Sequence, residues 1–128
     1  MKKILFVCVE NACRSQMAQG FCTALADDVE AESAGTQPAE EVDDIAVAVM
    51  AEAGVDISGQ RPTAMTGEMN DRFDIIVTMG CTDGCPITPK EKTVAWSIED
   101  PRGKPAGVYR RVRDDIRWHV ERLLADIR

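Results

Sequence analysis

Five residues separate Cys8 from Arg14, and Ser15 follows at once. The segment Cys8-Val9-Glu10-Asn11-Ala12-Cys13-Arg14-Ser15 leaves an apolar run and enters a stretch with helical periodicity. A loop in that position offers unpaired backbone N–H groups and the positive end of a helix dipole to an anion. A thiolate at its base is stabilised by the same donors and by a guanidinium. Arg14 can grip two oxygens of a tetrahedral oxyanion in a bidentate fork, which Lys does not imitate. Ser15 can donate its hydroxyl to the Cys8 sulfur. The chemistry implied is nucleophilic attack by Cys8 on an oxyanion cradled by Val9, Glu10, Asn11, Ala12, Cys13 and Arg14. The same spacing also fits a buried strand cysteine and a surface arginine, but its place between a strand and a helix favours the reactive assignment.

A second pair of thiols, Cys81 and Cys85, stands in Met79-Gly80-Cys81-Thr82-Asp83-Gly84-Cys85-Pro86. If that segment is helical, positions i and i+4 share a face with Cα atoms roughly 6 Å apart, inside the range a disulfide tolerates. Gly80 and Gly84 ease the unwinding that the Cβ directions require. Two buried thiols or half of a metal site are the other readings. Without further Cys or His nearby the pair is a weak zinc candidate, and His119, the sole histidine, lies far along the chain. No metal and no cofactor are expected. Cys22 continues an apolar stripe with Ala18 and Leu25 and reads as core. Cys13 is a candidate for a protective disulfide with Cys8.

The elements that must position these residues alternate between strand and helix. Ile4 to Val9 suits a buried parallel strand, and Ser15 to Ala26 carries Met17, Ala18, Phe21, Cys22 and Leu25 at helical spacing. Val29 to Ser33 alternates as a second strand, which Ala34-Gly35-Thr36-Gln37-Pro38 breaks. Val42, Ile45, Ala46, Val49, Met50 and Ala53 stripe a second helix that Gly54 closes. Phe73 to Thr78 is a third strand and Thr93 to Trp96 a fourth. Val112, Ile116, Val120, Leu123 and Ile127 mark a long final helix. Residues 57–72 and 80–92 receive no assignment. The expected fold is α/β: one three-layer domain over 1–128, a four-stranded parallel sheet flanked by helices, with ligands at the carboxyl ends of the strands.

The 128 residues carry a net charge of −7, so the surface as a whole repels polyanions and gives no sequence-independent grip on nucleic acid or anionic lipid. Any anion must bind locally. The apolar run after Met1-Lys2-Lys3 ends at Glu10, too soon for a secretion signal, and no stretch approaches the ~18 apolar residues of a membrane span. A cytoplasmic monomer with no nucleic-acid or membrane partner is expected, and in that compartment cysteines serve thiol or metal chemistry rather than cross-links.

Cys8 to Ala18, CVENACRSQMA, resembles the P-loop of the low-molecular-weight protein tyrosine phosphatases and of the arsenate reductases built on the same fold. Glu32-Ser33-Ala34-Gly35-Thr36, Gly54-Val55-Asp56-Ile57-Ser58, Val77-Thr78-Met79 and Asp100-Pro101 extend the resemblance over nearly the whole chain. Gln16-Met17-Ala18 is similar to the reductase branch, where the phosphatases usually have Pro after the Ser.

The resemblance implies that Asn11 props the loop open and that Asp100 is a general acid. It further implies that arsenate or phosphate is the oxyanion substrate. Cys81 and Cys85-Pro86 are similar to the redox cysteines of the thioredoxin-coupled reductases, although those have a longer insertion between the two. The implied relay passes through Cys8–Cys81 and Cys81–Cys85 disulfides and is reduced by thioredoxin. The phosphatase branch commonly places an aromatic residue after Asp-Pro; Arg102 stands here and favours a small inorganic oxyanion. Gln19 and Ser33 fall where some reductases bind potassium, but Gln replaces their Glu, so little binding is expected.

Overall fold

Lys2 to Cys8 forms strand β1, whose interior reads as an unbroken apolar run because both of its faces are covered. In the computed structural model, which describes residues 1–79 and 88–127, β1 is followed by α1 (Arg14–Leu25), β2 (Val29–Gly35), α2 (Asp44–Glu52), α3 (Met69–Arg72), β3 (Ile75–Met79), β4 (Thr93–Trp96) and α4 (Ala106–Asp126). The four strands pair in the order β2-β1-β3-β4, all parallel. The chain steps from β1 to one side, then returns past it to the other, so a crevice opens at the carboxyl end of β1, where Cys8 sits.

Alternation along β1 divides the core. Ile4 and Phe6 pack with Val77, Met79 and Trp96 against the apolar faces of α1, α2 and α4. Leu5 and Val7 pack with Ala34, Met69, Phe73 and Ile76 in a smaller cluster beneath α3. Cys8 shares the parity of Ile4 and Phe6, the side that α1 covers. Asp43 caps α2 by accepting the Ile45 N–H at 2.9 Å. Gly54, at φ 82°, ends that helix: its N–H reaches the Ala51 carbonyl and Val55 N–H reaches Met50, a pattern that needs a left-handed residue.

Several boundaries differ from the sequence expectation. β2 runs on to Gly35 rather than breaking after Ser33, because Ala34 and Gly35 stay in the ladder opposite Val7 and Cys8. β3 starts at Ile75, not Phe73: Phe73 turns into the smaller core while Asp74 exchanges hydrogen bonds with Lys3. The stripe of α1 ends before Leu25, which is exposed. Residues 57–72 contain α3 and a single bridge from Ala64 to Gly35.

α1 lies close to the segment after α2. A Cβ on Gly20 would fall 2.5 Å from the Ile57 Cγ2 methyl and 3.3 Å from Met50 and Val55. Gly20→Ala is therefore expected to destabilise the fold by about 1–3 kcal/mol through overpacking. A urea melt with a lower midpoint and unchanged slope would show this, and Gly59→Ala, where a Cβ meets nothing within 4 Å, is the neutral control.

Candidate active site

The loop from Val9 to Cys13 is held open from outside. Val9, Glu10 and Ala12 turn their carbonyls away to accept N–H groups from Gln37, Ala39 and Asp43, at 2.8–2.9 Å. Peptide planes are trans, so the N–H groups of Glu10, Asn11 and Cys13 face the opposite way, into the loop. Gly35 backs this arrangement: a Cβ there would stand 2.6 Å from the Val9 carbonyl oxygen and 2.9 Å from Asn11 N. At the centre is Asn11, fully buried and left-handed at φ 52°. Its Oδ1 accepts Thr63 N–H at 2.8 Å and Gln16 Nε2 at 3.1 Å, which fixes the orientation of the carboxamide. Its Nδ2 then donates to Ser15 Oγ at 2.7 Å, and Ser15 Oγ lies 2.9 Å from Cys8 Sγ. With one lone pair of the hydroxyl taken by Asn11, the Ser15 proton is free to point at a thiolate.

Arg14 begins α1 with its side chain 8% exposed, and Nη1 donates to the Ile98 carbonyl at 3.0 Å. Nη2 lies 3.9 Å from Asp100 Oδ2. The guanidinium has five donors, so this leaves capacity for a ligand in a place where burial makes a charge costly without a partner. Asp100 is more open, its side chain 53% exposed, and accepts the Arg102 N–H on Oδ1 at 3.1 Å. The adjoining Glu99 is tied to Arg111 at 2.7 Å and Lys104 at 2.9 Å, and those hydrogen bonds hold its carboxyl down to about 2. Arg102 pairs with Glu10 on the loop and approaches Asp43 at 3.6 Å. Asp43 also accepts the Tyr109 hydroxyl at 2.6 Å; burial first, and then Asp43, push the Tyr109 phenol up, so it stays protonated.

Residues 3–128 match the family described as low molecular weight phosphotyrosine protein phosphatase. The chain belongs to that family. A relative from Synechocystis sp. named glutaredoxin arsenate reductase is 38% identical over 99% of both chains. A solved structure of an arsenate reductase in the phosphate binding state is 38% identical, with TM-score 0.90 over 100% of both chains. The thioredoxin-dependent arsenate reductase of Corynebacterium glutamicum is 31% identical with TM-score 0.84, covering 99% of this chain and 62% of that one.

In this member of the phosphatase family the structure brings Cys8, Asn11, Arg14, Ser15 and Asp100 together at the carboxyl edge of the sheet. Cys81 and Cys85 lie outside the described residues. Cys13 caps α1 without a side-chain hydrogen bond. Burial, followed by Asp43, Asp100 and Cys8, pushes its thiol well above the usual range, which makes it a poor attacker on an oxidised Cys8. Gln19 Oε1 accepts the Ser33 hydroxyl at 2.5 Å. Among the described residues no group of three or more His, Cys, Asp or Glu is arranged to hold a metal. His119 packs against Trp96 and Trp118, with Nδ1 2.8 Å from the Asp115 carbonyl.

Sequence reasoning missed the support behind the loop. Gln16 donates to Asn11 and to the Arg61 carbonyl, and Gln60 donates to Gln16. Only the position of Gln16 directly after Ser15 hinted at this; nothing local signals a partner 44 residues away. Iodoacetamide at neutral pH is expected to alkylate Cys8 while sparing Cys13 and the buried Cys22. Ser15→Ala should slow Cys8 alkylation about tenfold through loss of one hydrogen bond to the charged form, read by peptide mass mapping. An unchanged rate would remove Ser15 from thiolate stabilisation.

Proposed function

We propose that this protein is an arsenate reductase with Cys8 as its nucleophile. The observation that carries the chemistry is the 2.9 Å contact between Cys8 Sγ and Ser15 Oγ at the base of a loop whose amides face inward. The full-length likeness to arsenate reductases selects arsenic over other centres. The Cys8 thiolate attacks arsenic in line while the amides of residues 9–14 and the Arg14 fork hold the equatorial oxygens. Asp100 protonates the departing oxygen, which leaves as water.

Cys81 then attacks the Cys8 sulfur. An S–S bond forms, the S–As bond breaks, and its electron pair stays on arsenic, so As(V) becomes As(III) and arsenite departs. Cys85 attacks Cys81 and frees Cys8 as the thiolate. Thioredoxin reduces the Cys81–Cys85 disulfide, which closes a small ring and should be labile. One relative is named for glutaredoxin and another for thioredoxin; turnover with thioredoxin, its reductase and NADPH, set against glutaredoxin and glutathione, separates the donors. No described helix is long and apolar enough to cross a membrane, and we place the enzyme in the cytoplasm as a monomer.

A second reading, phosphomonoester hydrolysis through a Cys8 phosphocysteine, is favoured by the family description and by Asp100 beside Arg14. The two branches share the first step and part at the resolving thiol, so one protein can carry residual phosphatase activity.

Cys8→Ser is expected to abolish both arsenate reduction and aryl phosphate hydrolysis, because a serine hydroxyl is not ionised at neutral pH; appreciable turnover would remove Cys8 from the mechanism. Arg14→Lys should lose activity on the order of 100-fold with the fold intact. Cys81→Ser should keep aryl phosphate hydrolysis but stop thioredoxin-driven reduction. Cys85→Ser should stall after one turnover with Cys8 and Cys81 linked, which peptide mapping reads directly. Normal cycling of Cys85→Ser with thioredoxin would show that another thiol closes the cycle.

A further inference from the structure

The geometry points to Arg102 as the positioning residue for Asp100, an inference that rests on the proposed role of Asp100 as proton donor. Arg102 meets Asp100 and the Cys8 loop at once. Its backbone N–H holds Asp100 Oδ1 at 3.1 Å, which leaves Oδ2 turned toward Arg14. Its guanidinium pairs with Glu10 on the loop, and Nε lies 3.6 Å from Asp43 Oδ2.

Asp43 is itself an anchored post. Its N–H bonds the Ala12 carbonyl at 2.8 Å, and its carboxylate accepts Ile45 N–H and the Tyr109 hydroxyl. The Arg102 side chain is therefore fastened to the wall of the same loop that cradles the oxyanion. Pro101, the one residue between Asp100 and Arg102, stiffens the link to that fastening. Glu99, on the other flank, is fixed to Lys104 and Arg111. Without the Arg102 fastening, a carboxyl that is half exposed would spread over several rotamers and spend less time over the leaving oxygen. The ion pair is itself partly exposed, so its contribution to folding is small and its effect falls on rate.

In the step concerned, the Cys8 sulfur–phosphorus bond forms as the phosphorus–oxygen bond breaks. The proton of the Asp100 carboxyl moves to the departing oxygen, and phenol leaves. A misplaced acid matters most when the departing phenol is weakly acidic, so the dependence of rate on phenol acidity reads the position of Asp100 rather than the integrity of the fold.

The experiment measures phenol release in single turnovers, enzyme in excess, across a series of aryl phosphates. The full chain is compared with Arg102→Ala, Arg102→Lys and Asp100→Asn, with circular dichroism as the check on folding. Arg102→Ala should lose about tenfold on the least acidic phenols and about twofold on the most acidic, with Asp100→Asn steeper still. Arg102→Lys should recover most of the loss, since its ammonium still reaches toward Glu10 and the backbone N–H is untouched. A uniform loss across the series in Arg102→Ala, or none, overturns the proposal while Asp100→Asn stays steep. If Asp100→Asn shows no such dependence, the proton-donor role itself fails and Arg102 has nothing to position. Absence of phenol release from the unaltered protein would overturn the phosphoryl-transfer step and this proposal with it.

Discussion

The left-handed backbone at Asn11 is the constraint on which the site depends. A non-glycine residue at φ 52° is uncommon, and Asn tolerates it better than most because its short carboxamide bonds nearby groups. Here that carboxamide binds Thr63 on one side and Ser15 on the other, so the group that stabilises the unusual turn also sets the hydroxyl that faces Cys8. The turn reverses the chain tightly enough for the loop to begin on β1 and end on α1 within five residues. Gln16, buried behind it, and the half-buried Gln60 extend the same network into a segment remote in sequence. Backbone conformation, thiol environment and tertiary docking are thus one set of hydrogen bonds.

Global and local electrostatics point in opposite directions. The net charge of −7 opposes the approach of an anion, and Glu10, Asp43 and Asp100 stand around the loop. What overrides them at short range is a buried guanidinium, the inward amides and a helix start with no acidic residue in its first turn. A charge in low dielectric acts strongly on a neighbour within a few ångströms, whereas the surface charges are screened beyond roughly 8 Å at physiological salt.

The parts of the fold carried by continuous local patterns were legible in the residues. The apolar run of β1, the four residues of β4 and the stripe of α4 each have a period or a length that admits few alternatives. The nearness of Cys8, Arg14 and Ser15 was legible because all three stand within eight consecutive positions between β1 and α1, although the groups that hold the loop open come from elsewhere in the chain. Gly35 was misread as a strand breaker, because its requirement comes from Val9 and Asn11 packed against it, not from its own chain direction. Residues 57–72 were illegible for a related reason: they fold on side chains of the loop and on β2 and carry no periodicity of their own. The ion pair of Arg102 with Glu10 joins positions 92 residues apart and leaves no local trace.

The proposed nucleophile and the proposed acid hang from different strands. Cys8 ends β1, bonded on both sides by β2 and β3, whereas Asp100 follows β4, which among the described residues pairs with β3 alone. A strand with two ladders cannot shift without disturbing its neighbours; one at the margin can lengthen, bend or exchange its following loop at little cost. That freedom is curbed here, because Arg102 pairs with Glu10 and the Ile98 carbonyl accepts from Arg14, so an edit at those positions of the edge loop is transmitted to the Cys8 loop.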